Sequence, residues 1–400
     1  MAYELASSTW GTEEIDAMQR VISSGIFTMG KYVRQFEEDF AKKFGGKYAL
    51  MVNSGSSANL IAIAALFYQS DRPLQPGDEV IVPAISWATT YYPLMQYGLK
   101  LKFVDVDLNT LNMDVKQLEK ALTPKTRLVT AVSILGNPAR LDVLRQFCDA
   151  HQLYLFEDNC ESMGAEIANK ACGTFGDVNT FSTFFSHHIS TMEGGVVLTD
   201  NEELYHIARA LRAHGWTRDL PKDSKIFTAS DDDFYEAYRF ILPGYNVRPL
   251  ELSGAIGIEQ LKKLDKLIEI RRDNAQLFQS LFKNDDRFII QTETGKSSWF
   301  AFTLILNPKY QLDRKKIMQA LKEAGIQYRI ITGGNFLRHD VIKYCNHECV
   351  GKMVNADLAH DYGFFVGNHP MDVKNDIERF YQVLSKAAEF SQFSLEVNVV

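Results

Sequence analysis

Short runs of β-branched and aromatic residues alternate with helix-length amphipathic stretches through the first half of this chain, and that alternation restricts the fold more than any other feature. Tyr48–Val52, Glu79–Val82, Lys102–Val106, Arg127–Val132, Leu153–Glu157, Val178–Phe184 and Gly195–Thr199 read as strands. Around and between them, Glu13–Ser23, Val33–Phe44, Ala58–Tyr68, Val115–Leu122, Asp142–His151 and Glu202–His214 read as helices. Apolar strands joined through helices make a mostly parallel sheet covered on both faces. The expectation is an α/β fold whose large domain is built on a mostly parallel seven-stranded sheet. After Asn246-Val247-Arg248-Pro249 the texture changes to one long amphipathic helix, Glu251–Phe282, followed by strand-like runs at Phe288–Gln291 and Trp299–Leu306. The expected division is a large domain over residues 1–254 and a smaller C-terminal α+β domain over residues 255–400. Leu220–Ala237, which contains Asp231-Asp232-Asp233, reads as a solvated surface excursion.

Charge and punctuation exclude several functions. The 400 residues carry 43 basic and 50 acidic side chains, a net charge of −7, so the broad positive field needed for non-specific nucleic-acid binding is missing. A local basic pocket for a phosphorylated small molecule is compatible with that balance. The longest apolar run, Leu60–Tyr68, is far shorter than the ~20 residues of a membrane-spanning helix. The N-terminal stretch lacks the basic and apolar regions of a secretory signal. Five cysteines without a CxxC pair read as reduced thiols, and a cytoplasmic protein that binds neither membrane nor nucleic acid is expected. No GxxxxGKS/T or GxGxxG stands between a strand and a helix, which argues against a nucleoside triphosphatase or a dinucleotide site.

Four segments carry residues suited to chemistry. Asn53-Ser54-Gly55-Ser56-Ser57-Ala58-Asn59 follows a strand and opens a helix, so its N–H groups and hydroxyls sit at the positive end of a helix dipole and suit a phosphate. A serine-rich N-cap has the same letters. Asp158 closes a strand at the edge where open α/β sheets place their ligand crevice, and a carboxylate there pairs with a protonated ring nitrogen or serves a turn. Trp87 follows another strand and offers its face to a planar cofactor or to the core. Between Thr180 and Gly195 a histidine pair, His187-His188, precedes a Gly-Gly turn. No third ligand accompanies the pair at a recognisable spacing, so no metal site is expected.

Taken together, the Ser-Gly-Ser loop, the aromatic after Pro83-Ala84, the Glu157-Asp158 strand end and the block from Ser182 to Glu193-Gly194-Gly195 resemble the sugar-modifying branch of the fold type I pyridoxal-phosphate (PLP) enzymes, the DegT/DnrJ/StrS aminotransferases. Leu5–Trp10, Phe27–Gly30, Arg212–Arg218 and Leu242–Leu250 extend the resemblance over essentially the whole chain, and it implies an aspartate aminotransferase-like fold. In that family a lysine five residues after the strand serine, and six before the glutamate of Glu-Gly-Gly, holds PLP covalently. Counted forward from Ser182 or back from Glu193, that position is His187. An imidazole cannot form the bond, so the resemblance narrows to a lysine-less branch that removes a sugar hydroxyl.

The resemblance implies a role for each matching residue. Gly55, Ser56 and Ser182 hold the cofactor phosphate, Trp87 stacks on the ring, Asp158 keeps the ring nitrogen protonated and Glu161 neighbours the ring. Asn246 reaches the phosphate in a partner subunit, which implies a homodimer with shared active sites. Gly25, Ile26, Phe27, Thr28, Arg218 and Arg329 are candidates for the nucleotide-sugar, and His214 and Arg248 for the carboxylate of an amino donor. The implied reaction uses L-glutamate to turn PLP into pyridoxamine phosphate (PMP), which condenses with the C4 ketone of a GDP-linked 4-keto-6-deoxy sugar. His187, with an ordinary pKa of about 6.5, then moves a proton from cofactor to the departing C3 hydroxyl, and ammonia is released. If the count slips by one, His188 takes these roles. Amino transfer to C4, an iron–sulfur-assisted dehydration that needs a cluster-binding cysteine set, and a PLP-binding sensor are the competing readings.

Overall fold

The computed structural model describes residues 2–396, with side chains described through residue 389. In chain order the helices are α1 (Thr12–Ser24), α2 (Lys31–Phe44), α3 (Gly55–Tyr68), α4 (Ala88–Gln96), α5 (Leu118–Ala121), α6 (Leu141–His151), α7 (Glu202–Arg212), α8 (Asp233–Glu236), α9 (Glu251–Phe282), α10 (Arg314–Glu323), α11 (Val354–Tyr362) and α12 (Lys374–Glu396). The strands are β1 (Tyr48–Val52), β2 (Glu79–Pro83), β3 (Lys100–Val104), β4 (Thr126–Val132), β5 (Tyr154–Asp158), β6 (Glu166–Ile167), β7 (Lys170–Ala171), β8 (Val178–Ser182), β9 (Gly195–Thr199), β10 (Phe288–Ile290), β11 (Ala301–Leu306), β12 (Tyr328–Arg329), β13 (His347–Cys349) and β14 (Gly363–Gly367).

The large sheet runs β1-β9-β8-β5-β4-β2-β3-β13, parallel from β8 to β13 and antiparallel where β9 pairs with β1 and β8. It therefore has eight strands rather than the expected seven. The extra strand, β13, is three exposed residues from the C-terminal region, too short for any periodicity to declare it. Lys100 and the buried Lys102 fasten it through ion pairs to Glu348, with Glu79 completing the cluster. The sheet is wrapped as apolar parallel strands require: β2, β5, β8 and β9 are buried at every residue. Helix α3, rich in Ala, Leu and Ile, is apolar almost all round and packs against the sheet and against α4 and α7.

Helix α4 is absent from the sequence expectation because Thr89-Thr90-Tyr91-Tyr92-Pro93 reads as strand or turn. Burial of Thr90, Tyr91, Pro93 and Leu94 overrides those propensities. The 32-residue helix α9 packs on α1 and α2 and, at its other end, on α12, so the expected cut at residue 254 falls just inside it. A second core forms around the antiparallel sheet β10-β11-β14-β12, and Tyr3 from the far N-terminus belongs to it. Ile331, Phe336, Met353, Ala356 and Ala359 run the other way, joining the core of the large sheet. The 220–237 segment is a surface excursion with only α8 as regular structure, and Phe234 at its edge is 91% exposed.

Candidate active site

The parallel strands deliver their carboxyl ends to one edge of the large sheet, where the segments after β1, β2, β5 and β8 meet. Ser54 caps α3, its Oγ accepting from Ser57 N at 3.1 Å, and no described residue accepts the N–H of Gly55 or Ser56. Those two donors sit at the positive end of a buried helix dipole. A Cβ at Gly55 would lie 2.6 Å from Ser182 Cβ and 3.0 Å from Cys160 Sγ, so Gly55 and Ser182 line one cradle. Ser56 Oγ donates to Thr89 Oγ1 at 3.1 Å, which brings the start of α4, and with it Trp87, over the same cradle. Trp87 is 60% exposed, unusual for the residue type and suited to stacking on a planar ligand.

Asp158 is buried at the end of β5. Its Oδ2 accepts from Asn59 Nδ2 at 2.8 Å and from Thr90 Oγ1 at 2.7 Å, and its Oδ1 from Cys160 N at 3.1 Å. Thr180 Oγ1 fixes the Asn59 amide by donating to its Oδ1 at 2.6 Å, and Ser86 Oγ lies 2.7 Å from Thr90 Oγ1. An ionised carboxylate has about four acceptor positions, so three filled ones leave about one for a protonated ring nitrogen. Asn59 and Thr90 were not singled out from sequence: each lies about one turn inside a helix and meets Asp158 only where β5 places that carboxylate between them. Neighbouring Glu157 is structural, its carboxylate saturated by the N–H groups of Gly173, Phe175 and Gly176. Burial and Asp158 push the Cys160 thiol up, so it stays protonated.

Glu161 Oε2 accepts from Leu135 N at 2.9 Å and from Thr332 Oγ1 at 3.4 Å. Both donors come from residues in the left-handed region, Leu135 at φ 50° and Thr332 at φ 42°. Burial pushes its carboxyl up to about 7, opposed by the Leu135 N–H and aided by Asp158.

His187 sits half-buried on the loop after β8, its ring edge-on to Phe184 at 5.9 Å and to Phe300 at 5.2 Å. Its Nδ1 is sealed from solvent without a hydrogen-bond partner. Burial pushes the imidazole down to about 4, well below the neutral value expected from sequence; the backbone at Cys160 and Ser182 works the other way and Arg271 adds to the depression. His187 is thus neutral at physiological pH. His188 is fully buried with Nε2 3.2 Å from Ser298 O, which makes it a packing residue and removes it from contention for the cleft role.

Gly55, Ser56, Trp87, Asp158, Glu161, Ser182 and His187 are thus brought together. The other candidates lie in flanking strips. Gly25, Ile26, Phe27 and Thr28 form the turn from α1 to α2, held to the start of α9 by Glu251 N donating to Phe27 O at 3.0 Å. Asn246 pairs with Ala213, His214 N donates to Tyr245 O, and Val247 O accepts from Asn53 N at 3.0 Å, directly before the Ser-Gly turn. Arg248 Nε donates to Asn246 Oδ1 at 3.1 Å, and Arg218 lies over the Trp216 ring. Arg329 is exposed on β12, three residues before Thr332.

A family model, the DegT/DnrJ/EryC1/StrS aminotransferase family, matches residues 9–383. The chain belongs to this family. It is 52% identical over 96% of its length to GDP-4-keto-6-deoxy-D-mannose 3-dehydratase of Escherichia coli O55:H7, covering 99% of that protein. It is also 52% identical over 96% of its length to the enzyme of that name from Yersinia pseudotuberculosis, covering 98% of it. A solved structure of GDP-4-keto-6-deoxymannose 3-dehydratase with a trapped PLP–glutamate geminal diamine superposes with a TM-score of 0.94 at 52% identity, over 96% of this chain and all of that one. Further structures of that relative are a histidine-to-asparagine variant with bound GDP-perosamine and a double variant in which a histidine becomes lysine and the serine before it asparagine. Among the described residues no three His, Cys, Asp or Glu side chains gather to hold a metal ion, and no described helix is long and apolar enough to cross a membrane.

Proposed function

We propose that this chain is a PLP/PMP-dependent dehydratase that removes the C3 hydroxyl of GDP-4-keto-6-deoxy-D-mannose. L-Glutamate is the amino donor and two-electron reductant; the products are GDP-4-keto-3,6-dideoxymannose, 2-oxoglutarate and ammonia. One observation carries the reading: the segments that meet in the cleft, residues 53–59, 83–90, 133–137, 158–162, 180–195, 297–300 and 331–335, contain no lysine, and an imidazole stands where the family's covalent tether belongs.

The residues present fit the cofactor. The Gly55 cradle, closed to any Cβ by Ser182 and Cys160, and the uncommitted N–H groups of Gly55 and Ser56 suit its phosphate. The remaining lone pair of Asp158 suits the ring N–H, and exposed Trp87 suits the ring face. When bound, the cofactor supplies an amine carrier and an electron sink. His187 Nε2, neutral at pH 7, takes up a proton in the cleft, and the resulting imidazolium, acidic because it is buried, donates it to the C3 hydroxyl, a poor leaving group when unprotonated. The double variant of the solved relative supports His187 over His188, because this chain has one Ser-His step, Ser186-His187.

The working form is a homodimer in the cytoplasm in which Asn246 serves the partner's phosphate, while Gly25–Thr28, Arg218 and Arg329 bind the GDP-sugar and His214 and Arg248 the glutamate carboxylate. Ile26, Phe27 and Leu250, exposed side by side where Glu251 N bonds to Phe27 O, are the apolar surface offered to the second subunit. The test is incubation with GDP-4-keto-6-deoxymannose, PLP and glutamate, followed by mass analysis of the sugar and assay of ammonia. Loss of one oxygen at C3 with ammonia release is expected, and His187→Asn should reduce it at least about 100-fold with cofactor binding retained. A 4-amino sugar without ammonia would refute the dehydratase reading.

A further inference from the structure

Behind the His187–His188 step lies a cation that the reaction does not explain. Arg271 of α9 is 4% exposed, and no described carboxylate lies within ion-pair distance. Its Nη1 donates to two backbone carbonyls, Phe300 O at 3.0 Å and Asn368 O, while its Nε is buried without a partner. Burying a guanidinium with so little compensation is costly, so its retention calls for a reason.

The contacts supply one. The Phe300 ring touches both imidazoles, at 5.2 Å and 90° to His187 and at 5.6 Å to His188. The 297–300 segment that carries it is clamped on every side: Ser298 N donates to Gly136 O, Phe300 N to Leu135 O, Arg272 Nε to Ser297 O, and Asn368 Nδ2 to Trp299 O. Trp299 is held at φ 46°, a strained conformation for a bulky residue and one that persists only where its surroundings impose it. We infer that Arg271 is a positioning residue for the dehydration: by holding the Phe300 carbonyl it fixes the ring wall that sets the plane of His187, and it places a buried, unpaired cation behind both imidazoles. This deepens the dehydratase reading and rests on it.

The titratable groups round His187 are Asp158 at the end of β5, Cys160 and Glu161 after it, His188 on its own loop, and Arg271 and Arg272 on α9. Burial lowers Arg271 only to about 10, so it remains charged at neutral pH. His188 and His369 also lie in its field and are likewise pushed down, with burial the larger cause in both.

Two variants separate the charge from the clamp. Arg271→Gln removes the charge and ends two bonds short of both carbonyls; Arg271→Lys keeps the charge but replaces the rigid guanidinium that aims Nη1 at them with a flexible ammonium. In holoenzyme labelled on histidine, with His187 assigned by comparison with His187→Asn, NMR titration of Arg271→Gln should show His187 protonating roughly half a pH unit or more higher than in wild type. Its kcat at pH 7 should fall at least about fivefold with KM changed less than about twofold. In Arg271→Lys the titration should stay at the wild-type position while kcat falls. An unmoved His187 titration in Arg271→Gln, or wild-type kcat in both variants, would overturn the assignment. Should Arg271→Gln fail to fold, Arg271→Lys with wild-type kcat suffices to overturn it. A His187→Asn enzyme that dehydrates normally would instead sink the functional reading, leaving the NMR titration as a separate readout of Arg271.

Discussion

Glu161 holds a carboxyl whose ionisation burial pushes up to about 7, against an ordinary 4.5. Between those values the folded chain binds the extra proton, so stability from this group is complete below 4.5 and is lost as pH rises through 7. Glu161→Gln removes the ionisation, and its stability relative to wild type should increase by about 2 kcal/mol between pH 5 and pH 8. Urea unfolding of the cofactor-free proteins at both pH values checks this; a difference independent of pH would contradict it. His187 shows the opposite displacement, and here sequence and structure diverge for a physical reason. The spacing from Ser182 and Glu193 located the residue, but its ordinary pKa was the wrong guide because desolvation depends on Phe184 and Phe300, which only the folded chain places around it. Gly55 and Asp158 were legible because strand-to-helix turns and strand ends leave local signatures. Asn59 and Thr90 left none, since their task is defined by a carboxylate distant in the chain.

At the scale of elements, the site depends on how closely β9 approaches the β1–α3 turn. Gly195 is paired with both Val52 and Ser182, and a Cβ there would lie 2.3 Å from Ser54 O and 2.7 Å from Gly55 N. Those are backbone atoms that cannot rotate aside, so Gly195→Ala must displace the strand or the Ser54-Gly55 turn proposed to hold the phosphate. The expected cost is about 2 kcal/mol of stability, with weaker PLP affinity, read by thermal unfolding and by absorbance titration with PLP. Unchanged affinity would contradict the coupling. The seven strands of the sequence reading are present because apolar runs between turn signals survive any packing detail. Helix α4 and strand β13 were missed because tertiary contacts, not local preference, decide them: buried Tyr91 and Leu94 in one case, the Lys102–Glu79–Glu348 cluster in the other.

At the scale of the molecule, the chain passes repeatedly between its two cores, and the cleft lies where the passages meet. Tyr3 N bonds to Gly325 O, while Thr332 and Phe300 reach back to Glu161 and His187. A sequence reading divides such a chain by texture and cannot show contacts spanning hundreds of residues; for that reason the α/β frame and the strand-to-helix turn at Gly55 were legible and the rear wall of the cleft was not. What that wall encloses is the imidazole that we propose stands in place of a covalent tether. Borohydride reduction of the holoenzyme followed by intact-mass spectrometry tests this most directly. Wild type should keep the mass of its polypeptide and lose the cofactor on denaturation, whereas His187→Lys should gain one phosphopyridoxyl group; a wild-type protein that gains that mass would contradict the account.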